Sequence, residues 1–592
     1  MSLAEDSPDK TTSPTPRHRW FCTTAVLLLI GFALLPVLTP FTHGGFPMGH
    51  DAGTHLTYVY RLDHALSEGQ FPVRWVEATK TGHGQPLFNF YQVGFSYVVA
   101  FVHLFVPLSH ALKATPPLLW WTGAGFMFLL CRRFGLLPAA VATVVFGLSP
   151  YLIVDVFVRA AYPEFAAITF GVGVLWALDR LLTTPSPAFV PLLAVLTGLT
   201  LICHLPATLI MIPMFAGYAW HLWLSRQTTP ERLLQAAHGA ALGVGLASFY
   251  LLPALLEFDL IQAPLLTIGA GSFTEHFVPL HQFLRFGFDY SWNFGNSLKN
   301  VDDLIPLHIA AVEWGLMAAA GCVLFAQVAR GRVDGRGAAL AVWLGVVALA
   351  LFMMTAASRS VWDGLAPLGY VQFPWRFLLL VSIAAGAMAA PLVSLLDRRA
   401  QALALVAVVA LQTNIYHRQL RPSRYVPAEV ADIDNPAWRD TPEGQDWGYI
   451  DFAFDPVGVT EHPEDAIGRW QTTRGAGRIH EQTVMDDELV LDVSTERGMT
   501  VRINSPYFPG WTVRLNDAVT EVTVRPGDRY MESAVPPGTH RLKAEFRNTP
   551  VRTWANAVSL VSVLLVGLAA LRWTPLRDRG RRRAGNAGGG RR

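Results

Sequence analysis

Long runs of apolar residues without charges recur along most of the chain, which is the pattern of helices that cross a lipid bilayer. A bilayer core of about 30 Å needs about 20 such residues in a helix. The first run follows Lys10, Arg17 and Arg19, and it is too long and too far from the N-terminus to resemble a cleaved signal peptide. The pattern predicts about twelve crossings, in residues 20–41, 114–130, 135–153, 165–178, 187–203, 205–224, 236–256, 306–329, 337–357, 377–396, 400–413 and 555–572.

A strict alternation of apolar and polar positions precedes the last run. Residues 540–546 alternate between apolar and charged side chains, and residues 499–504 and 511–516 repeat the pattern. Such alternation is typical of half-buried strands, and Pro-Gly pairs, which favour turns, separate these stretches. We therefore expect a small antiparallel β-sandwich in the second half of residues 414–554.

The composition agrees with a membrane protein. Hydrophobic residues make up 52% of the 592 residues and charged residues only 15%, whereas soluble proteins carry roughly 25% charged residues. Disorder of the whole chain is excluded because so much apolar surface can be buried. A net charge of +2 gives no basic face for nucleic acid, and four cysteines cannot form a disulfide scaffold.

The basic residues between the predicted helices orient the chain. The positive-inside rule places these clusters in the cytoplasm together with both termini, provided that residues 86–110 lie in the outer interface or form a re-entrant hairpin. The predicted organisation is a disordered cytoplasmic N-terminus (1–19), a membrane domain (20–413) with a first outer loop (42–85), an outer domain (414–554), a last helix (555–572) and a basic cytoplasmic tail (573–592).

Most of the unusual polar residues fall on the outer side of this topology. Asp51 and His55 lie in the motif Gly-His-Asp-Ala-Gly-Thr-His of the first outer loop. Ionisable residues at membrane depth are costly and are functional candidates by default. Their convergence predicts one outward-facing site, whose other candidates are Arg74, Trp75, Arg159, Glu164, His204, Gln372, Trp375 and Arg376.

Each candidate also has a purely structural interpretation. Asp51 could begin a helix as its N-cap. Arg159 and Glu164 could form an ion pair at a helix end, and His204 could be a hydrogen-bonded turn residue. The pair Trp375-Arg376 could anchor the chain at the membrane interface.

Several motifs together resemble polytopic membrane proteins that are labelled 6-pyruvoyl-tetrahydropterin-synthase-related. These motifs are GHDAGTH, FPVRW, GHGQPLFNFYQVGFSY, VRAAYPEF, CHLPAT, SFYLLPALLE and VWDGLAPLGYVQFPWRFL. The closing segment SPYFPGWTVRLND, with VPPGTHRLKAEF and the last helix, resembles the outer domain of the YfhO-like group. Pterin synthase chemistry would need a zinc-binding histidine cluster in a small soluble fold, which this sequence lacks.

The layout more distantly resembles the GT-C class of membrane glycosyltransferases. The resemblance implies a GT-C-like α-helical polytopic fold in the bacterial plasma membrane, with membrane lipids and no nucleic acid as partners. It further implies transfer of a hexosyl or pentosyl group from a polyprenyl-phosphate-linked donor to a glycan or lipid acceptor of the cell envelope. Asp51 lies where the class keeps its catalytic acid residue, although the first loop has no Asp-x-Asp or Glu-x-Asp pair.

The chemistry of glycosyl transfer suggests a role for each candidate residue. Asp51 either acts as the base on the acceptor hydroxyl or binds a divalent cation, with His55 orienting it; no other cofactor is indicated. Arginine holds phosphate oxygens bidentately, which favours Arg74, Arg159 and Arg376 as phosphate ligands. The remaining expectations are sugar or arginine contacts for Glu164 and Gln372, stacking or lipid anchoring for Trp75 and Trp375, and an indirect role for His204.

Two other kinds of protein fit the same topology, namely a lipid-linked glycan transporter and a non-catalytic envelope assembly protein. Transporters usually place charges near the membrane midplane and have repeated halves. Here the charged motifs lie at one face and no half-repeat is visible in the sequence, which favours the enzyme.

Overall fold

The computed structural model describes residues 16–77, 84–184, 186–284, 307–416, 420, 422, 424–435, 451–461 and 468–571. Of the predicted disordered N-terminus 1–19, residues 1–15 lie outside the described residues, whereas residues 16–19 belong to the helix Pro16–Leu38. The tail 573–592 also lies outside the described residues. The helices of ten or more residues are Pro16–Leu38, Ala52–Ser67, Gly94–His103, Leu108–Cys131, Leu136–Gly147, Tyr162–Thr183, Phe189–Cys203, Leu205–Leu224, Pro230–Leu256, Ala311–Ala329, Gly335–Met354, Leu378–Val393, Arg398–Tyr416 and Pro550–Leu571.

The helices confirm the prediction of an α-helical polytopic membrane protein. Within the described ranges, nine helices are long and apolar enough to cross a membrane, or ten if the pair 136–147 and 150–158, bent by 45°, is one span. Every one of the twelve predicted segments contains a helix, but two do not qualify as spans. Phe189–Cys203 has only 15 residues, and Arg398–Tyr416 has polar residues at both ends.

Residues 86–110, predicted to be interfacial or re-entrant, contain the short apolar helix Gly94–His103. Its 10 residues extend only about 15 Å, half of a bilayer core. Large apolar side chains at its end are solvent-exposed, namely Phe101, Leu104 and Phe105. A helix of this length with an exposed apolar end suits the membrane interface.

The alternating sequence before the last helix forms the predicted β-sandwich. Its strands are β5 (Trp470–Gly475), β6 (Arg478–Val484), β7 (Glu488–Thr495), β8 (Met499–Pro506), β9 (Trp511–Leu515), β10 (Ala518–Val519), β11 (Thr523–Val524), β12 (Tyr530–Val535) and β13 (Gly538–Phe546). One sheet has the strand order β10-β9-β13-β7-β6 and the other β11-β12-β8-β5, and the strand pairs are antiparallel. Leu542 and Ala544, spaced by two, are both buried and pair with Leu491 and Leu489 of the neighbouring strand.

The first loop contributes strands to two small sheets, one of which joins it to residues 424–426 and the other of which lies within the loop. Strand β1 (Phe46–Met48) pairs with β4 (Arg424–Val426), and β2 (Val76–Glu77) pairs with β3 (Gly84–Gln85). Between β1 and the helix Ala52–Ser67, a Cβ on Gly49 would lie 2.8 Å from the carbonyl oxygen of Val158. Only glycine allows this close backbone approach, which brings the residues after Gly49 beside residues 158–160.

Trp75 docks the first loop on the β-sandwich. Its side chain is fully buried, with ring centroids 5.2 Å from Trp511 and 5.0 Å from Phe546. Buried aromatic pairs at these distances stabilise an interface through both burial and ring geometry. The β-sandwich is therefore packed on the first loop, and we call this end of the helix bundle the sandwich side.

Replacing Trp75 should loosen this packing. We expect W75A to lower the free energy of unfolding by about 3–5 kcal/mol, because it leaves a cavity among aromatic rings. Thermal unfolding and hydrogen exchange of the β-sandwich measure the effect. The control W554A removes a largely exposed tryptophan of the last helix and should change stability by less than about 0.5 kcal/mol. Equal stability of both variants would contradict the docking role.

Candidate functional site

A cluster of charged side chains lies on the sandwich side of the helix bundle, where three chain segments meet. Asp155 belongs to the π-helical turn Val154–Val158, and Arg159 follows it directly. Glu164 lies in the first turn of Tyr162–Thr183, and Arg376 in the short turn Pro374–Phe377. Together with Asp51, these residues form what we call the Asp51 cluster.

Glu164 is the centre of the cluster. One of its carboxylate oxygens accepts hydrogen bonds from Arg159 Nη1 at 2.9 Å and Arg376 Nε at 3.0 Å. The hydroxyl of Tyr151 donates to the other oxygen. The carboxylate is fully buried, so these bonds compensate the cost of removing its charge from water. The ion pair considered as a structural interpretation of Arg159 and Glu164 is therefore formed, and it includes Arg376.

Aromatic rings fix the orientation of both arginines. The guanidinium of Arg159 lies 4.5 Å from the centroid of the Trp375 ring, and that of Arg376 lies 4.8 Å from Phe373. Trp375 is buried and stacks on Phe373 with 4.9 Å between centroids. Trp375 therefore orients the guanidinium of Arg159 through a cation–π contact. The predicted stacking of Trp375 on a sugar stays a prediction.

Each arginine keeps one terminal nitrogen out of these contacts. Arg159 donates through Nη1 to Asp155, Glu164 and Tyr151. Arg376 donates through Nε to Glu164 and through Nη1 to the carbonyl of Val371. In the described part of the chain, the recorded hydrogen bonds leave the Nη2 group of both arginines unused. Two arginines that share one carboxylate oxygen and retain unused donors suit an anion.

Asp51 is held beside the arginines by its backbone. Its amide donates to the carbonyl of Arg159 at 2.8 Å, and the amide of His50 donates to Val158 at 2.9 Å. Asp51 stands at the N-cap position of Ala52–Ser67, but its side chain makes no capping hydrogen bond. The N-cap interpretation therefore describes its position in the chain and leaves its carboxylate unexplained.

Asp51 also differs from the other two acids in exposure. It is half-buried, whereas Asp155 and Glu164 are fully buried. Burial raises the pKa of the Asp51 carboxyl, Arg159 and Arg376 lower it in part, and Glu164 raises it. A carboxylate with a raised pKa and access to solvent has the properties of a general base.

His55 lies one turn after Asp51 but supports the backbone instead. Its side chain is buried. The centroid of its ring lies 5.7 Å from that of Phe95 and 5.3 Å from that of Tyr162. Burial lowers the pKa of His55 to about 3, although a hydrogen bond to the backbone of Ala160 raises it in part. The imidazole is therefore neutral, and it acts on the segment 158–160 that holds Asp51. Its role in orienting Asp51 stays a prediction.

Two further candidates make local structural contacts. Nδ1 of His204 accepts the amide of Ala207 at 3.0 Å and caps Leu205–Leu224, as its structural interpretation expected. Gln372 adopts a positive φ of 64° and donates to the carbonyl of Leu266 at 2.6 Å. The recorded bonds of the Gln372 amide therefore do not reach Arg159, and a sugar contact for either residue stays a prediction.

Arg74 and Trp75 are not brought to the Asp51 cluster, which corrects the expectation of a single site. Arg74 donates to Asn89 and Asn556, each at 2.7 Å, and to the carbonyl of Phe249 at 3.1 Å. Trp75 packs on the β-sandwich as described above. Both residues join the first loop to distant segments, and the sequence alone does not reveal these partners.

The sequence predicts no role for Tyr151, and it places Asp155 on the outer side without a role, but both residues contact Arg159. Residues 151, 155 and 159 follow one another at a spacing of four, which places them on one face of a helix. That spacing was the signal in the sequence.

Among the residues that the structure describes, Asp51 belongs to no group of three potential metal ligands. Among the described residues, the group of three with metal-binding spacing is His64, Glu68 and Asp486, where Ala52–Ser67 meets the β-sandwich. Asp51 is not part of that group, and its charged neighbours include Arg159 and Arg376 as well as Glu164. The residues around Asp51 therefore do not fit a divalent cation held by several carboxylates.

Comparisons with known proteins leave the family unassigned. The sequence matches no protein-family model and no curated protein. Among solved structures, the arabinofuranosyltransferase AftD from Mycobacteria is similar with 17% identity and a TM-score of 0.41, and the match covers 71% of this chain and 28% of AftD. The chain thus spans less than a third of that protein.

ArnT from Cupriavidus metallidurans is also similar. In the apo state it shows 16% identity and a TM-score of 0.28, with 62% of this chain and 78% of ArnT covered. Bound to undecaprenyl phosphate, it shows 13% identity and a TM-score of 0.28, with 68% and 90% covered. These TM-scores are too low to indicate a shared function.

Neutralising Glu164 should destabilise the fold. We expect E164Q to lose about 3–5 kcal/mol of stability, because two buried arginines lose their shared counter-charge. Thermal unfolding in detergent measures the loss. The control E231Q changes an exposed glutamate at the start of Pro230–Leu256 and should shift stability by less than about 0.5 kcal/mol. If E164Q were as stable as E231Q, Glu164 would not be the centre of the cluster.

Proposed function

We propose that this protein is a GT-C-like membrane glycosyltransferase, which moves a sugar from a polyprenyl-phosphate-linked donor to a glycan or lipid acceptor of the cell envelope. One observation carries the proposal: the half-buried Asp51 carboxylate stands beside two arginines that a buried glutamate holds in place. A base next to two phosphate-binding groups, within apolar helices, is the arrangement that transfer from a lipid phosphate needs.

In this proposal Asp51 accepts the proton of the acceptor hydroxyl. The acceptor oxygen then forms the new bond to the anomeric carbon while the bond from that carbon to the phosphate oxygen breaks. The phosphate leaves with the electron pair, and the sugar passes through an oxocarbenium-like transition state. The raised pKa of Asp51 makes the carboxylate a stronger base than an ordinary aspartate.

Arg159 and Arg376 stabilise the leaving phosphate through their Nη2 groups. The donor phosphodiester carries one negative charge, and the departing polyprenyl phosphate gains a second. The arginines therefore bind the transition state more strongly than the donor, which is the condition for catalysis. Because aromatic rings and Glu164 already orient them, little reorganisation is needed when that charge develops.

The lipid part of the donor would lie along apolar surface near the first loop. Phe101, Leu104 and Phe105 expose their side chains at the end of Gly94–His103, and acyl or prenyl chains would cover such surface. The proposal places the sandwich side outside the bacterial plasma membrane and both termini in the cytoplasm, in keeping with the distribution of basic residues.

Removing the proposed base tests the reaction. We expect D51N to reduce transfer from labelled polyprenyl-phosphate hexose and pentose donors by at least about 100-fold, the usual contribution of a general base. Membranes with matched expression serve for the assay. The control D363N changes an exposed aspartate paired with Arg359 and should keep its activity.

The same assay separates the alternatives. Unchanged transfer by D51N would refute Asp51 as the base. Movement of the labelled carrier across the membrane without cleavage would identify a lipid-linked glycan transporter. Absence of both transfer and movement with every donor would favour a non-catalytic assembly protein.

The dependence of the rate on pH provides a second test. Because the base must be ionised and its pKa is raised, transfer should fall as the pH decreases through a midpoint above about 3.9, the ordinary value for aspartate. Transfer rates from pH 4 to 8 measure this limb. The residual activity of D51N should lack it, and an identical acid limb in D51N would contradict the assignment.

A further inference from the structure

A second group of buried arginines lies where the first loop, the end of Pro230–Leu256 and the start of Pro550–Leu571 meet. It consists of Arg74, Asn89, Glu257, Arg552 and Asn556, and we call it the Arg552 cluster. With one glutamate against two arginines, its formal charge is +1. None of these residues takes part in the Asp51 cluster described above.

The contacts of Arg552 leave one edge of its guanidinium without a hydrogen-bond partner. Its Nε donates to Glu257 at 2.8 Å, and the same carboxylate accepts the hydroxyl of Thr549 at 2.6 Å. The rings of Phe508 and Phe546 lie 5.2 Å and 4.9 Å from the guanidinium carbon. The aromatic rings cover the guanidinium and Glu257 binds Nε, so the edge formed by Nη1 and Nη2 is the one that can still donate hydrogen bonds.

That edge is buried and has no acceptor. Arg552 has 0% of its surface exposed, and in the described part of the chain Nη1 and Nη2 have no hydrogen-bond partner. Gly510 lies beside it, since a Cβ there would be 2.8 Å from Nη1. Buried charged donors without acceptors cost several kcal/mol in general, so this edge calls for an acceptor.

Arg74 and Asn89 add further unused donors. Arg74 donates through its terminal nitrogens to Asn89, Asn556 and the carbonyl of Phe249, but its buried Nε has no partner among the described residues. The buried Nδ2 of Asn89 likewise has none. Burial and, to a smaller extent, the nearby positive charge of Arg552 lower the pKa of Arg74 to about 10. Two neighbouring arginines with unused donors need a negative group between them.

We propose that the Arg552 cluster binds a phosphate group, carried by a lipid headgroup or free in solution, at a site separate from the Asp51 cluster. The in-plane edge of a guanidinium matches two phosphate oxygens, and a single phosphate anion would neutralise the net charge of +1. The adjacent start of the helix Pro550–Leu571 adds a favourable dipole. The proposal does not depend on the transferase activity.

Binding of two phosphate probes tests the site. The full chain, in a maltoside detergent and a buffer that both lack phosphate groups, is titrated with radiolabelled inorganic phosphate and with short-chain phosphatidic acid. N89D keeps the oxygen that accepts from Arg74, removes a donor and cancels the net charge. R552K keeps a cation next to Glu257 and removes the guanidinium edge. We expect both variants to bind at least about tenfold more weakly, with thermal unfolding confirming that each is folded.

Two matched variants complete the design. R359K alters an exposed ion pair and should bind the phosphate probe like the unmodified chain. R376Q removes a guanidinium of the Asp51 cluster and should still show the binding that N89D and R552K lose. Stronger binding of inorganic phosphate identifies a soluble ligand, and stronger binding of phosphatidic acid identifies a headgroup. The proposal is overturned if neither probe binds saturably to the unmodified chain, which would leave buried water as the acceptor. It is also overturned if R376Q loses the binding while N89D and R552K keep it.

Discussion

The buried pairing of Glu164 with Arg159 and Arg376 is the interaction on which the site depends. Three ionised groups within a helix bundle are tolerated only when they are paired and hydrogen-bonded. Glu164 meets this requirement by accepting from both arginines and from Tyr151. The pairing also joins the segment around residues 151–164 to the turn at residue 376, which are far apart in the chain.

This paired network fixes the segment on which Asp51 rests. The carbonyls of Val158 and Arg159 accept the amides of His50 and Asp51, so any movement of Arg159 would move the carboxylate. The first loop is further held by the pairing of β1 with β4 and by Trp75 against the β-sandwich. Such support on both sides of a reactive group reduces the reorganisation that a reaction requires. The β-sandwich thus supports the position of Asp51 through the first loop, although the β-sandwich supplies no residue of the Asp51 cluster.

Local patterns in the sequence predicted the elements well. Uncharged runs located the membrane helices, and strict alternation located the strands, because both signals follow from burial of one surface. The predicted count of about twelve spans exceeds the nine or ten among the described residues, since Phe189–Cys203 is short and Arg398–Tyr416 has polar residues at both ends. Arg159, Glu164 and Arg376 were found because charges at membrane depth are rare.

Long-range contacts could not be predicted in the same way. Arg74 looked like a phosphate ligand of the first loop, but its partner Asn556 is 482 residues away in the chain. The capping role of His204 depends on the exact start of the next helix. Which arginine joins which cluster is decided by the path of the loop and by the docked β-sandwich, neither of which has a local signature.

The most direct test of the central claim is the position of the donor. A structure of the full chain with a non-transferable polyprenyl phosphonate sugar would show where the phosphonate and the anomeric carbon lie. We predict that the phosphonate oxygens contact Nη2 of Arg159 and Arg376, with Asp51 next to the anomeric carbon. A phosphonate bound away from both arginines, with Asp51 remote from the sugar, would contradict the account.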